Sequence, residues 1–338
     1  MSVANPVMPE QGLQTMKAIA QTVYGAPEVL HLVNVAKPVP QANEVLVKVN
    51  AASVDAGVWH LMRGTPFLIR LIYGGLRKPQ HSILGSAIAG QVAAVGTAVT
   101  QFQPGDMVFG DLSESGFGGF AEYVCAPVTA LAPLPATLSF EAAATVPVSG
   151  LAALQGLRDV GQIQPGQRVL IVGAAGGVGS FAVQIAQALG AAVTGACSAS
   201  KGGMVLQLGA DRVIDYTHSA VPHPEQPYDL VLDTAAYRPF ADYFSALQPG
   251  GIYVMVGGST SAFFRAMLLG PWAGKRRDRQ VKCLTAAPNQ ADLLTLKDLI
   301  EAGKVTPFCD RTYPLSDVPQ AIRDLEQRQI KGKAVITL

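Results

Sequence analysis

Two patterns of hydrophobic and polar positions follow one another along the chain. From about residue 16 to 135, short apolar runs such as EVLVKVN and AIAGQVAAVG are separated by turn residues, as in strands joined by turns. After Ser139, apolar runs alternate with helical segments: RVLIVG precedes a helical stretch at 177–189, and AAVTGA follows it. Such alternation indicates crossover units and a parallel sheet. The pattern therefore predicts an α/β protein with a β-rich region and a doubly wound parallel sheet.

The two ends of the chain differ from the middle. From about residue 281, helical and strand patterns end in AVITL, and this stretch resembles the first half in composition. The preceding segment, 260–282, joins an apolar piece to a basic cluster, and its pattern predicts no clear element. Residues 1–15 carry neither a basic region nor an apolar run, so we expect a flexible leader rather than a secretory signal.

Composition narrows the class of protein. The 338 residues include 25 Lys and Arg and 24 Asp and Glu, with a formal charge of +1; this length predicts two domains, and the charge argues against a nucleic-acid partner. The uncharged stretch 169–200 contains six glycines, so we expect no spanning helix and no membrane partner. The four cysteines form no paired motif, which favours a cytoplasmic location.

A glycine-rich turn is the clearest chemical motif. RVLIVGAAGGVG runs from a predicted strand through glycines into a predicted helix. Close approach of a diphosphate to the backbone requires glycines at such a turn, and a helix amino terminus supplies free N–H groups. We therefore expect a dinucleotide diphosphate to bind at this turn; the alternative is a tight turn that serves helix packing alone. The candidate positions are Gly173, Ala174, Gly176, Gly177 and Val178.

The end of the second strand predicts the cofactor. NAD sites usually carry an acid there, whereas NADP sites need cations and hydroxyls for the 2′-phosphate. Here the sequence reads Cys-Ser-Ala-Ser-Lys with no acid, so Ser198 and Lys201 are candidates for the phosphate, with Tyr216 lining the same pocket. The alternative for Lys201 is a solvated loop residue. The sequence favours NADPH.

Taken in order, the motifs LGSAIAGQVAAVG, FQPGDMVFG, GFGGFAEYVCAP, VGAAGGVG and KGKAVITL resemble those of the medium-chain dehydrogenase/reductase superfamily, in its zinc-independent quinone oxidoreductase branch. The resemblance implies a GroES-like β-rich catalytic domain built from 16–138 and 282–338, with a Rossmann NADPH-binding domain, 139–281, inserted between them. It also implies a homodimer. By the same resemblance the nicotinamide amide is held by backbone groups, and a terminal cation reaches the 2′-phosphate. The positions concerned are Val256, Gly257 and Gly258 for the amide, and Arg328 or Lys331 for the phosphate.

The zinc ligands of related alcohol dehydrogenases can be sought position by position. In those relatives a Cys ligand falls near Asp55, a Gly-His-Glu run falls at Gly85-Ser86-Ala87, and another Cys falls near Val148. None of these positions carries the family's ligand, and catalytic zinc needs three protein ligands. His60 and His81 remain but are not clustered. The resemblance therefore implies no metal.

Without a metal, the resemblance implies hydride transfer to a quinone or to the C=C bond of an α,β-unsaturated carbonyl. Asp55 and His60 fall in the family segment that lines the cleft, and either is a candidate catalytic proton donor or relay. The alternatives are that Asp55 caps a short helix and that His60 faces solvent. Two departures from the family pattern, Ala152 for Thr and Ala87 for Asp, leave the catalytic detail open.

Apolar side chains in 67–81 and 261–282 favour a bulky apolar substrate; core or dimer packing is the alternative. The expected partner is a small-molecule substrate that is apolar and electrophilic. The basic run 275–279 is expected to be a solvated loop or to attract an anionic substrate. Two further functions stay open: a zinc-less alcohol or aldehyde oxidoreductase, and a non-catalytic NADPH-binding sensor.

Overall fold

The protein is described from a computed structural model covering residues 14–72, 75–217 and 227–338. The chain forms two compact units. The first comprises the described residues through Val148 together with Pro288–Asp298 and Pro307–Leu338; the second comprises Ser149–Ala287 and Leu299–Thr306. The leader expected at 1–15 lies outside the described residues except for its last two, of which Thr15 begins the first strand.

Strands and helices are numbered here in chain order. The strands are β1 (Thr15–Ala20), β2 (His31–Ala36), β3 (Glu44–Val54), β4 (Ala87–Val95), β5 (Met107–Asp111), β6 (Tyr123–Pro127), β7 (Leu131–Pro133), β8 (Arg168–Val172), β9 (Ala192–Cys197), β10 (Arg212–Asp215), β11 (Tyr228–Asp233), β12 (Leu247–Met255), β13 (Gln280–Cys283), β14 (Cys309–Pro314) and β15 (Lys333–Thr337). The helices are α1 (Ala56–Arg63), α2 (Phe67–Ile72), α3 (Phe140–Ala144), α4 (Val146–Gln155), α5 (Gly177–Ala188), α6 (Gly202–Gln207), α7 (Thr260–Lys275), α8 (Gln290–Glu301) and α9 (Val318–Glu326).

The first unit is β-rich. Its main sheet has the order β14-β15-β3-β4-β5-β7, with β6 also pairing with β3, and β1 and β2 form a separate antiparallel pair. Alternate residues of these strands enter one apolar core, to which α9 adds Val318 and Ile322. Because β15 comes from the end of the chain and pairs with β3, this unit needs both ends of the sequence. Helix α3 also belongs to it, so the unit extends past Ser139, where the inserted domain was expected to begin.

The second unit contains a six-stranded parallel sheet in the order β10-β9-β8-β11-β12-β13. Strand β8 is apolar and buried from Val169 to Val172, as is typical of parallel strands covered on both faces. In register, Val172 lies beside Asp233 and Asp233 beside Met255, so the carboxyl ends of three strands meet at one edge. The doubly wound parallel sheet predicted from the alternating pattern is confirmed.

Helix α7 occupies the segment for which the sequence pattern predicted no element. It runs from Thr260 to Lys275, with Ser259 accepting the capping hydrogen bond from the Ala262 N–H and with Pro271 inside the helix. Gly270 and Pro271 are poor helix formers, which is why the pattern alone gave no helix. No helix in the described parts of the chain is long and apolar enough to cross a membrane.

Candidate active site

The glycine turn lies between β8 and α5. Gly173 has φ +79°, a left-handed conformation that favours glycine. Gly176 precedes α5 in an extended conformation and offers no side-chain cap. The first N–H groups of α5, those of Gly177 and Val178, have no acceptor within the helix. The turn therefore presents free N–H donors and a positive helix end to an anion.

Gly179 lets α5 approach β8 closely. A Cβ built at this position would lie 2.1 Å from the Gly173 carbonyl oxygen and 2.8 Å from Ala174 Cα. Any larger residue would therefore push the helix from the turn. Close helix–strand packing is the role of the last glycine in a dinucleotide-binding turn, so the residues of the turn fit a diphosphate at its free N–H groups.

Ser198, Lys201 and Tyr216 gather at the carboxyl ends of β9 and β10. The Lys201 N–H donates to the Ser198 carbonyl at 2.9 Å, and the Tyr216 N–H donates to the Cys197 carbonyl at 3.3 Å. The ring of Tyr216 stacks on that of Tyr237, with centroids 4.3 Å apart. A cation, a hydroxyl and an aromatic face thus share one edge, and this donor set suits a phosphate beside a ring.

Val256, Gly257 and Gly258 follow β12 at the same edge. The N–H groups of Val256 and Gly257 donate to the Asp233 carbonyl at 2.8 and 3.3 Å. A Cβ at Gly257 would lie 2.6 Å from the Thr234 carbonyl oxygen. The loop after β12 is therefore packed against the end of β11, and the structure brings it onto the edge that carries the glycine turn.

Two residues that sequence analysis missed tie this edge together. The buried Asp233 carboxylate accepts hydrogen bonds from the Tyr253 hydroxyl at 2.7 Å and from the N–H groups of Ala235 and Ala236, and burial raises its pKa. The Thr234 hydroxyl donates to the Val172 carbonyl at 2.8 Å. Polar residues directly after the apolar run DLVL were the available signal. Thr234 therefore holds the turn after β11 against the glycine turn, while Asp233 fixes that turn and ties it to β12.

A cavity of about 240 Å³ opens beside the loop after β12. Its walls include Tyr237, Arg238, Met255 and Arg265. No sequence pattern indicates this cavity, because its lining residues come from three separate segments. The cavity joins aromatic, apolar and guanidinium groups next to the predicted cofactor edge.

Asp55, in the first unit, lies directly before α1. Its side chain makes no capping hydrogen bond to the helix. Instead the carboxylate, which is buried, forms an ion pair with Lys333 of β15 and accepts a hydrogen bond from the Ser53 hydroxyl at 2.8 Å. Asp55 therefore stands at the N-cap position of α1, as one of the two interpretations of the sequence expected. Its carboxylate, however, binds Lys333 of β15 and not the N–H groups of the helix.

His60 is half-buried on α1. Its Nδ1 lies 3.0 Å from the Thr65 carbonyl oxygen, and its ring lies against that of Trp59 with centroids 4.1 Å apart. Burial lowers the pKa of His60, an effect that the hydrogen bond to Thr65 opposes. With Nδ1–H donating to Thr65, the neutral ring keeps Nε2 as an acceptor. The ring is thus partly shielded rather than fully solvent-facing.

Arg328 and Lys331 lie between α9 and β15 in the first unit. Arg328 has φ +58°, and the Lys331 N–H donates to the Asp310 carboxylate at 3.2 Å.

Among residues 14–72, 75–217 and 227–338, no group of three or more His, Cys, Asp or Glu side chains is arranged to hold a metal ion. His81 packs edge-on against Phe117.

Comparison with known proteins agrees with this architecture. Residues 41–136 match the alcohol dehydrogenase GroES-like domain family, and residues 208–336 match the family described as zinc-binding dehydrogenase. The chain is 30% identical to the mitochondrial NAD(P)H oxidoreductase RTN4IP1 of Mus musculus, over 98% of this chain and 93% of that protein. It is 31% identical to 2-methylene-furan-3-one reductase of Solanum lycopersicum, over 95% of this chain and 79% of that protein.

A solved structure extends the comparison. The quinone oxidoreductase from Coxiella burnetii superposes with a TM-score of 0.86 at 29% identity, covering 96% of this chain and all of that one. A GroES-like domain with a parallel-sheet dinucleotide domain defines an oxidoreductase that uses a nicotinamide cofactor. The chain belongs to the medium-chain dehydrogenase/reductase superfamily, in its quinone oxidoreductase-like branch, as the motifs predicted.

Proposed function

We propose that the protein is a zinc-independent, NADPH-dependent oxidoreductase that transfers hydride to a quinone or to the C=C bond of an α,β-unsaturated carbonyl. One observation carries the choice of cofactor. Ser198 and Lys201 follow β9 and Tyr216 follows β10 at the same edge; no acid follows β9, and the carboxylate of Asp215 at the end of β10 accepts hydrogen bonds from Thr217. A hydroxyl and a cation favour a 2′-phosphate, whereas a carboxylate there would favour the free 2′-hydroxyl of NADH.

In the second unit, backbone groups do most of the binding. The N–H groups of Gly177 and Val178, at the amino end of α5, would hold the diphosphate. The loop 256–258, fixed by its hydrogen bonds to Asp233, supplies backbone groups for the nicotinamide amide. Bound NADPH supplies the hydride. Binding and orientation by these elements are the protein's main contribution to the rate.

In the first unit, His60 is our candidate for proton relay. Because Nδ1–H is engaged with Thr65, Nε2 would take a proton from solvent and give it to the enolate or hydroquinone anion that hydride transfer leaves. Asp55 is engaged by Lys333 and Ser53. We therefore assign Asp55 the role of fixing the start of α1, the helix that carries His60.

Zinc independence rests on the residues at the family's ligand positions. Ser86 and Val148 have no group that binds zinc strongly, and the one carboxylate, Asp55, is already paired with Lys333.

The likeness to a quinone oxidoreductase and to a furanone reductase supports a conjugated acceptor. Cysteines 125, 197, 283 and 309 are all free thiols, which supports the reducing cytoplasm as the location.

The test is NADPH consumption with a panel of quinones, enones, 2-alkenals and saturated alcohols, before and after dialysis against a chelator. We expect turnover of conjugated acceptors that dialysis leaves unchanged. Turnover confined to saturated alcohols, or activity lost on chelation and restored by zinc, would contradict the proposal. Tight NADPH binding without turnover of any compound would favour a sensor instead.

A further inference from the structure

Helix α7 packs on the second unit through Phe263 near its start and, further along, through small residues. Ala266 is 1% exposed, and a Cβ built at Gly270 would lie 2.4 Å from Val281 Cγ1 of β13. A Cβ at Gly274 would lie 2.7 Å from the Arg279 carbonyl oxygen. The helix therefore sits close to β13, and this face has no room for larger side chains.

The opposite face of α7 carries large apolar side chains in solvent. Leu268 is 71% exposed and Trp272 is 60% exposed, with Met267 and Leu269 at 45% and 55%. A surface helix normally buries its large apolar residues and exposes its small and polar ones. From Ala266 onward that order is reversed. Single exposed apolar residues are ordinary, but a contiguous patch marks an interaction surface.

Cations border this patch. Between residues 265 and 279 the chain has five Lys and Arg and one acid, although the whole protein has a formal charge of only +1. The guanidinium of Arg276 lies 3.6 Å from the centroid of the Trp272 ring. Lys275, Arg276 and Arg277 are exposed, and none of the three forms an ion pair with a carboxylate in the described parts of the chain. Positive charge is thus concentrated at the edge of the apolar face.

We propose that this α7 face docks on an anionic phospholipid membrane surface. Exposed Leu, Met and Trp side chains on one face of a helix, with Lys and Arg beside them, suit a helix that lies in the plane of the interface. Trp is favoured at that depth, and anionic headgroups attract each nearby cation by about 1 kcal/mol. This surface chemistry is independent of the substrate of the enzyme.

A second copy of the chain suits the same face less well. Two copies packed through α7 would bring the cations at 265 and 275–277 of each chain close to those of the other, and like charges at an interface oppose association. The proposal also replaces the sequence-based expectation of no membrane partner. That expectation rested on the lack of a spanning segment, and a helix on the surface spans nothing.

The experiment is flotation of the full chain with vesicles of phosphatidylcholine alone and of phosphatidylcholine with 30 mol% phosphatidylglycerol. We expect the protein to float only with anionic vesicles, less so at high salt. The triple variant K275A/R276A/R277A should bind on the order of 100-fold more weakly, from the loss of three cations at about 1 kcal/mol each. L268S should also weaken binding, whereas the matched controls L206S and K304A, exposed elsewhere on the second unit, should not.

Tryptophan fluorescence gives a second measurement on the wild-type chain. Emission should shift to shorter wavelength on anionic vesicles, and W272F should abolish the shift while NADPH binding is retained. Failure to float with anionic vesicles at low salt, or equal losses in the L206S control, would overturn the proposal. Sedimentation that shows a dimer dissociated by L268S, with no vesicle binding, would assign the face to a second copy and overturn it as well.

Discussion

Lys333 of β15 forms a buried ion pair with Asp55, the residue directly before α1. The Lys333 side chain is 3% exposed and that of Asp55 is 7% exposed. The pair joins the end of the chain to the helix that carries His60. Water cannot compensate either charge at this burial, so each depends on the other.

Removing one partner should therefore be costly. We expect K333M to lower the free energy of unfolding by about 3–5 kcal/mol, because it leaves the Asp55 carboxylate buried and uncompensated. Urea unfolding measures the loss. The double variant D55N/K333M should recover most of it, and K331M, at an exposed lysine nearby, should change stability by less than about 0.5 kcal/mol. A K333M protein as stable as the wild type would show that the pair is not essential.

Asp111 predicts a pH dependence of stability. Burial raises its pKa to about 6, against the opposing hydrogen bonds from Ser113; in the unfolded chain an Asp titrates near 3.9. Folding thus favours the protonated acid. The contribution of Asp111 to the free energy of unfolding is fully present below about pH 4 and is lost as the pH rises through about 6. The loss is about 3 kcal/mol.

The variant D111N isolates this effect. It keeps an acceptor for the Ser113 N–H, which lies 2.9 Å from the carboxylate, but it does not ionise. The stability difference between wild type and D111N should therefore change in favour of the variant between pH 4 and pH 7, as urea unfolding at each pH would show. A constant difference across this range would mean that Asp111 titrates normally.

Lys201 should determine the choice between cofactors. We expect K201A to weaken NADPH binding about tenfold or more, because a charged hydrogen bond contributes about 1.5–3 kcal/mol, and to leave NADH binding nearly unchanged. Fluorescence titration with each cofactor measures both constants. K304A serves as a matched control at an exposed lysine of the same unit. Equal effects of K201A on the two cofactors would show that Lys201 does not contact the 2′-phosphate.

Gly179 should tolerate no side chain. In G179A the new methyl group meets the Gly173 carbonyl, so we expect a loss of about 1–3 kcal/mol of stability together with weaker binding of either cofactor. The matched control is G203A, on α6, where an added Cβ meets nothing within 4 Å. It should be neutral or slightly stabilising. Thermal unfolding and cofactor titration together separate these cases.

His60 should affect turnover rather than cofactor binding. If Nε2 relays the proton, H60Q should lower kcat by about 10² or more and leave the NADPH dissociation constant unchanged. Because burial lowers the pKa of His60, any inflection that it causes in the kcat–pH profile should fall below pH 6.5 and disappear in H60Q. An unchanged kcat would exclude the relay.

Local patterns predicted the parts of the molecule that depend on neighbours in sequence. The run RVLIVGAAGGVG gave β8, the turn and α5 because strand, glycines and helix are contiguous. The pairing of Asp55 with Lys333 spans 278 residues, and nothing near either residue indicates it. Helix α7 was missed for two reasons: Gly270 and Pro271 lie inside it, and its large apolar residues between 267 and 272 are turned to solvent, against the pattern by which amphipathic helices are recognised.

The pairing of β15 with β3 has a consequence for synthesis of the protein. Strand β15 lies inside its sheet, between β14 and β3, yet it is synthesised after every other strand of the two units. Until residues 333–337 emerge, the nascent chain presents an unpaired edge at residues 51–54 of β3, a template for pairing with other chains. The second unit, whose sheet is complete at residue 283, can fold during that interval. A prematurely terminated chain that lacks β15 would therefore contain a folded second unit and an incomplete first unit that is prone to aggregate.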